Sequence, residues 1–284
     1  MHINGQTRVF MILGDPVAQV LAPGLFNHLF AEHAVNAVLV PAQVAPRHVM
    51  AFARQALRAG NIDGLWLTIP HKTAILPLLD RVDRLGRVAE AVNAVRRNAD
   101  GTLEGALLDG IGFIKSLDHF GVAMQGADAL VVGVGGAGVA IAASLAERGV
   151  ARLALFDLDG LRCEAIGARL RAAWPGVDVV VAECSAAAGF DLLVNASPLG
   201  LQAGDPLPFD PGQVAAGATV VDILMKDQPT ALLRACAARG VKAFPGHEMM
   251  LQQAPDYLAF FGLHDVARAV AEDSSALRRM LQPR

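Results

Sequence analysis

Lys72 closes the run Gly64-Leu65-Trp66-Leu67-Thr68-Ile69-Pro70-His71-Lys72, just past an apolar extended stretch and a proline. Asn93 in Ala91-Val92-Asn93-Ala94, and Asp109 in Gly105-Ala106-Leu107-Leu108-Asp109-Gly110-Ile111-Gly112, lie in similar settings. An amine, an amide and a carboxylate at strand ends are groups that can move a proton or bind a polar ligand, and in open α/β sheets ligands collect at strand ends. Each also has an ordinary structural reading: a surface lysine, a hairpin asparagine, an N-capping aspartate. A second constellation is Ala129-Leu130-Val131-Val132-Gly133-Val134-Gly135-Gly136-Ala137-Gly138, an apolar strand running into a helix of small residues. Gly133, Gly135 and Gly138 fit G-x-G-x-x-G. The first permits a tight turn, the second lets backbone approach a pyrophosphate, and the third allows close helix–strand packing, with Gly136 at the helix start.

The strand after this motif ends at Asp157, 24 positions beyond Gly133 (157 − 133). A carboxylate there can accept hydrogen bonds from both hydroxyls of an adenosine ribose and would repel a 2′-phosphate. Asp159 adds negative charge, and Arg162 is the nearby cation. The pattern favours NAD, with NADP as the alternative. Either aspartate can instead cap the following helix.

Short apolar runs alternate with amphipathic stretches along the whole chain, which predicts an α/β protein with parallel sheets. Predicted strands are Val9–Leu13, Ala37–Val40, Gly64–Ile69, Ala129–Val134, Arg152–Phe156, Val177–Val181, Leu192–Asn195 and Thr219–Ile223. Helical spacing marks Val49–Leu57, Ala137–Glu147 and Leu161–Ala173. Asp100-Gly101 between two extended runs, Val92–Arg97 and Thr102–Ala106, predicts an antiparallel hairpin. We expect an N-terminal α/β substrate domain over 1–109 and a doubly wound Rossmann-type dinucleotide domain over 110–245. Helices from 246 to 284 are expected to return to the first domain.

At 284 residues the chain suits two domains, and 54% hydrophobic against 18% charged residues suits sheets covered on both faces. A net charge of −3 without a basic run argues against nucleic acid or an anionic membrane as partner. Cys163, Cys184 and Cys236 lie far apart, with neither disulfide-framework nor zinc-ligand spacing, so no metal is expected. With no secretory leader pattern and no apolar stretch long enough to span a bilayer, the expectation is a soluble, cytoplasmic monomer or homodimer.

Read together and in order, these segments resemble the shikimate dehydrogenase family over nearly the whole chain. Gly14-Asp15-Pro16 through Pro23 and Asn27 is similar to its N-terminal signature, and Thr68-Ile69-Pro70-His71-Lys72 to its lysine motif. Ala91-Val92-Asn93 and Asp109-Gly110-Ile111-Gly112 resemble its asparagine and aspartate motifs. Asn195-Ala196-Ser197-Pro198-Leu199-Gly200, and Gly246 through Met249, Gln253 and Ala254, complete the set. The resemblance implies hydride transfer between nicotinamide and a ring carbon bearing a secondary alcohol, as in aromatic amino acid biosynthesis. It makes Lys72 the general acid/base with Asp109 as its partner. Thr68, Asn93 and Gln253 would bind hydroxyls, and Asn195 and Ser197 would join the cofactor site. Desolvation lowers a lysine pKa while a neighbouring carboxylate raises it, so the pair works in opposite directions.

The sequence departs from the family at the substrate's carboxylate end. Val20 and Ala22 stand where two serines grip the carboxylate, Trp66 replaces an asparagine, and Met225 replaces a tyrosine. His247-Glu248 replaces a smaller, less charged pair. Gln19, Lys226 or His247 are candidate replacement donors. The leading expectation is a dehydrogenase for a shikimate-like or quinate-like cyclic polyol. The alternatives are an authentic NADP-dependent shikimate dehydrogenase with a rearranged clamp and a non-catalytic dinucleotide-binding sensor. A sensor has no need of Lys72, Asp109, Asn93 and Gln253.

Overall fold

The computed structural model describes residues 3–225 and 228–281, so Lys226 lies outside the described residues. The chain divides into two compact units. One takes in the chain up to Leu108 and again from Ala254; the other runs from Asp109 to Gln253.

The first unit begins β1 (Arg8–Gly14), α1 (Ala22–Glu32), β2 (Ala37–Gln43), α2 (Val49–Ala56) and β3 (Ile62–Leu67). It continues with β4 (Arg81–Val82), α3 (Arg84–Ala89), β5 (Ala94–Arg97) and β6 (Leu103–Ala106). The sheet order is β2-β1-β3-β5-β6-β4. β1 runs parallel to β2 and β3, whereas β5 is antiparallel to both β3 and β6. The expected hairpin is therefore present, closed at Asn98–Thr102 with Gly101 at φ +86°. β3 starts and stops two residues before the predicted Gly64–Ile69, which leaves Thr68 and Ile69 in the turn that follows.

In the second unit come α4 (Asp109–His119), β7 (Asp128–Val132), α5 (Gly136–Arg148), β8 (Arg152–Phe156), α6 (Gly160–Ala173) and β9 (Asp178–Val181). β10 (Leu192–Asn195), β11 (Thr219–Asp222), α7 (Ala231–Ala237) and β12 (Lys242–Pro245) follow. All six strands are parallel, in the order β12-β11-β10-β7-β8-β9. Strand order reverses between β7 and β10, the switch point at which such sheets bind dinucleotides.

Three helices end the chain: α8 (His247–Phe260), α9 (His264–Glu272) and α10 (Ser275–Leu281). The sequence assigned the tail from Gly246 to the first unit, but the return starts at Ala254, eight residues later (254 − 246). Packing explains the difference. A Cβ on Gly112 of α4 would lie 2.6 Å from both Gln253 Cβ and Met249 O, so this glycine lets α4 and the first half of α8 touch.

From Ala254 onward the tail supplies aromatic rings to the first unit. Trp66 of β3 stacks on Phe261 at 4.1 Å and on Tyr257 at 5.3 Å, with Phe10 and Phe26 edge-on at 5.2 and 5.3 Å. Gly64 is obligatory beneath them, because its Cβ would fall 2.1 Å from the Phe261 ring. Trp66, counted among the pocket residues from the sequence, is thus a core residue at 3% exposure.

Candidate active site

In the second unit the glycine motif joins β7 to α5. Gly133 has φ +90°, and a Cβ there would lie 2.6 Å from Ser197 N. A Cβ on Gly138 would lie 1.9 Å from Gly133 O, so helix and turn touch backbone to backbone. Gly135, the N-cap of α5, has no neighbour within 4 Å of its virtual Cβ. Internal packing requires two of these glycines and not the third, whose bareness leaves room for an incoming group. No side chain caps α5 after Gly135 and Gly136, so its first amides and dipole remain available to phosphates.

Asp157, half-buried, accepts hydrogen bonds from Val134 N (2.8 Å) and Asp159 N (3.1 Å). The helix cap is Asp159, which accepts from Arg162 N at 3.0 Å and pairs with its guanidinium at 3.3 Å. Asp157 instead ties the β8 end to the glycine loop, and two carboxylate oxygens retain acceptor capacity beyond one bond each.

Asn195 is tied into its own loop. Fully buried, it donates to Asp222 Oδ1 (3.0 Å) and Leu199 O (3.2 Å) and accepts from Ser197 N (3.1 Å) and Ser197 Oγ (2.6 Å). Both amide hydrogens and both acceptor positions are engaged, so Asn195 shapes the loop that carries Ser197. Ser197 sits in the same loop, directly against Gly133. Asp222, fully buried, also accepts from Thr230 Oγ1 at 2.6 Å, and Thr230 in turn caps α7. Burial pushes the Asp222 carboxyl above the ordinary range, against the pull of its Thr230, Leu224 and Asn195 bonds. The sequence reading missed this network, although a carboxylate in the apolar run Thr219–Ile223 was its signal.

Asp109 opens α4 and is 7% exposed. The glycines after it are packing devices: a Cβ on Gly110 would lie 2.2 Å from Ala140 O, and Gly112 admits Gln253. The motif therefore seats α4 against α5 and α8 with the aspartate at its start. Gln253 keeps Oε1 buried without a partner among the described residues.

In the first unit, Thr68, Lys72 and Asn93 gather where β3 ends and β5 begins. Thr68 N donates to Leu13 O (3.0 Å), and Lys72 O accepts from Val92 N (2.8 Å). Asn93 is fully buried, its Oδ1 accepting from Leu108 N at 2.8 Å, while Nδ2 has no partner among the described residues. Asp15 N donates to Ile69 O at 3.0 Å, which ties the loop leading to half-buried Val20 and Ala22 to the lysine turn. Asn27 of the N-terminal signature braces α1 on β2 through both Leu39 N and Leu39 O.

Residues 12–95 match the profile of the shikimate dehydrogenase substrate binding domain. A shikimate dehydrogenase (NADP(+)) of Rubrobacter xylanophilus is 40% identical over 257 residues, 89% of each chain. The chain belongs to the shikimate dehydrogenase family. It is accordingly an NAD(P)-dependent oxidoreductase acting on a ring alcohol. Quinate dehydrogenase from Corynebacterium glutamicum, solved with NAD, is 28% identical with a TM-score of 0.80, covering 93% of this chain and 98% of that one. Shikimate 5-dehydrogenase from Listeria monocytogenes, solved with shikimate and NAD, has a TM-score of 0.84 and covers 96% and 98%; at 24% identity it speaks for the fold alone. The two-part α/β fold expected of a shikimate dehydrogenase is borne out. Among the described residues no helix is long and apolar enough to cross a membrane, and no three metal-ligating side chains cluster.

Two family departures fall together in the second unit. Burial pushes the His247 pKa below the ordinary imidazole value, against the pull of the Met225 carbonyl. Glu248, 7% exposed, is held by Gln252 at 2.8 Å. Gln19 uses an amide hydrogen on Pro16 O at 3.0 Å.

Proposed function

We propose that this family member oxidises a ring secondary alcohol of a shikimate-like or quinate-like polyol whose carboxylate end is weakly held or absent. The observation that carries the reading is the fully buried Asn93 beside Thr68 and Lys72, whose Nδ2 has no partner among the described residues. It is a donor that a substrate hydroxyl can satisfy. Leaving it unmet costs about 1–3 kcal/mol. In the second unit Gln253 Oε1, likewise buried without a partner among the described residues, is an acceptor. Thr68 adds a hydroxyl, Lys72 takes the alcohol proton, and Asp109 is its carboxylate partner. Gly133, Gly135, Gly136 and the α5 amides would hold the dinucleotide, which would supply the hydride acceptor.

At the positions where the family grips the carboxylate, Val20, Ala22 and Met225 offer no hydroxyl. Each charge-assisted hydrogen bond is worth about 1.5–3 kcal/mol. Val20→Ser with Ala22→Ser is therefore expected to raise kcat/KM for shikimate about tenfold, and by less for carboxylate-free analogues. If the unmodified protein already handles shikimate at about 10⁴ M⁻¹s⁻¹ or above, another group supplies the clamp.

For the cofactor, Asp157 supports NAD. Leu158 and Leu161, 96% and 86% exposed, put apolar surface beside it, and Asp159 engages Arg162. The names of the curated relatives point to NADP instead. NAD is expected to give a kcat/KM about tenfold above NADP, roughly 1.4 kcal/mol, and Asp157→Ser to narrow that gap. Steady-state kinetics with both cofactors decides it, since equal or better use of NADP defeats the NAD reading.

A further inference from the structure

Lys72 stands on an irregular turn, and a long side chain on such a turn needs something to hold its backbone still. From Thr68 to Ala74 one residue alone is buried, His71, at 0% exposure. Its Nε2 lies 2.8 Å from Val44 O. A carbonyl only accepts, so this nitrogen carries a proton, while Nδ1 is buried without a partner among the described residues. His71 N also donates to Thr68 O at 2.8 Å, which closes the turn from Thr68 to His71 directly before Lys72. Val44, just past β2, donates its own N–H to Gly14 O at 3.1 Å. One imidazole thus links the lysine turn, the end of β2 and the Gly14 loop that leads to Val20 and Ala22.

We propose that His71 is a positioning residue for Lys72: its Nε2–H to Val44 O sets the turn, and with it the place from which the lysine exchanges the alcohol proton. The proposal rests on the reading of Lys72 as acid/base. Its physical content is the donor, not the ring. An apolar side chain of equal size would fill the space but leave the Val44 carbonyl unmet, and the turn would shift to relieve it. Displacements of about 1 Å in a reacting group are enough to cost rate by up to a hundredfold. The imidazole acts through the turn and not on the alcohol itself.

The test uses two side chains of like shape, one with an N–H donor and one without. His71→Met is expected to lower kcat about tenfold or more, with dinucleotide Kd within about twofold of the unmodified protein. His71→Gln, whose amide can donate to Val44 O, is expected to keep kcat within about threefold. A merely space-filling role moves Tm and not kcat, so thermal melts accompany the kinetics. A folded His71→Met protein with unchanged kcat, or equal kcat losses in both variants, overturns the proposal. Should His71→Met fail to fold, a folded His71→Gln protein with a tenfold or greater loss of kcat overturns it as well. Lys72→Ala, measured alongside, separates the levels. If it keeps near-normal turnover, the acid/base reading and this inference fall together. If it loses turnover while His71→Met does not, only this inference falls.

Discussion

Lys72→Ala is expected to lower kcat by roughly 10²–10⁴, the usual contribution of a positioned acid/base. The alcohol proton must leave as the hydride departs, and the other groups gathered at the β3 end are poorly suited to take it. Thr68 is a neutral hydroxyl and Asn93 an amide whose Oδ1 already accepts from Leu108 N. Dinucleotide affinity should stay within about twofold, because the glycine turn, α5 and Asp157 all belong to the second unit. Steady-state kcat on the best polyol substrate, paired with a fluorescence titration of the dinucleotide, reads both quantities. Turnover within threefold of the unmodified enzyme would remove Lys72 from the mechanism.

Gly138→Ala should weaken dinucleotide binding about a hundredfold or more and lower Tm. The new methyl would sit 1.9 Å from Gly133 O. Reaching an ordinary contact of about 3.5 Å requires α5 to retreat by roughly 1.5 Å. The turn cannot yield instead, since Gly133 N is bound to Phe156 O at 2.7 Å and its φ is +90°. Overpacking of this kind costs about 1–3 kcal/mol or more, and the retreat carries the phosphate-facing amides with it. Gly135→Ala is the control for stability, because its Cβ meets nothing within 4 Å. That variant should melt like the unmodified protein while still binding dinucleotide less tightly. Unchanged affinity in Gly138→Ala would show that the close helix–turn contact is dispensable.

The parts of the molecule that were legible in its sequence are those where local chemistry alone forces the conformation. Gly133 and Gly138 mark a turn and a contact that admit no side chain, and Asp100-Gly101 marks a hairpin. The parallel second sheet follows from apolar runs spaced by amphipathic helices. What stayed hidden depends on partners distant in the chain. Trp66 reads as a pocket substitution until Phe10, Phe26, Tyr257 and Phe261 are seen around it. Nothing near Asn195 in the chain announces the Asp222 carboxylate to which its amide donates. The point where the tail changes units is set by Gly112 against Gln253, a contact across 141 positions (253 − 112). The four-residue β12 and two-residue β4 were too short to give a periodic signal.

The discontinuity of the first unit bears on how the chain is made. Domains form as units while synthesis proceeds from the N-terminus, yet here the sheet translated first cannot be covered first. When residue 253 leaves the ribosome, the second unit has its whole sequence, whereas Trp66 still lacks Tyr257 and Phe261. The nascent chain must carry an uncovered aromatic surface through the synthesis of some 150 further residues (254 − 109 = 145), a surface for chaperones to recognise. Vectorial synthesis thus finishes the dinucleotide unit first and the substrate unit last.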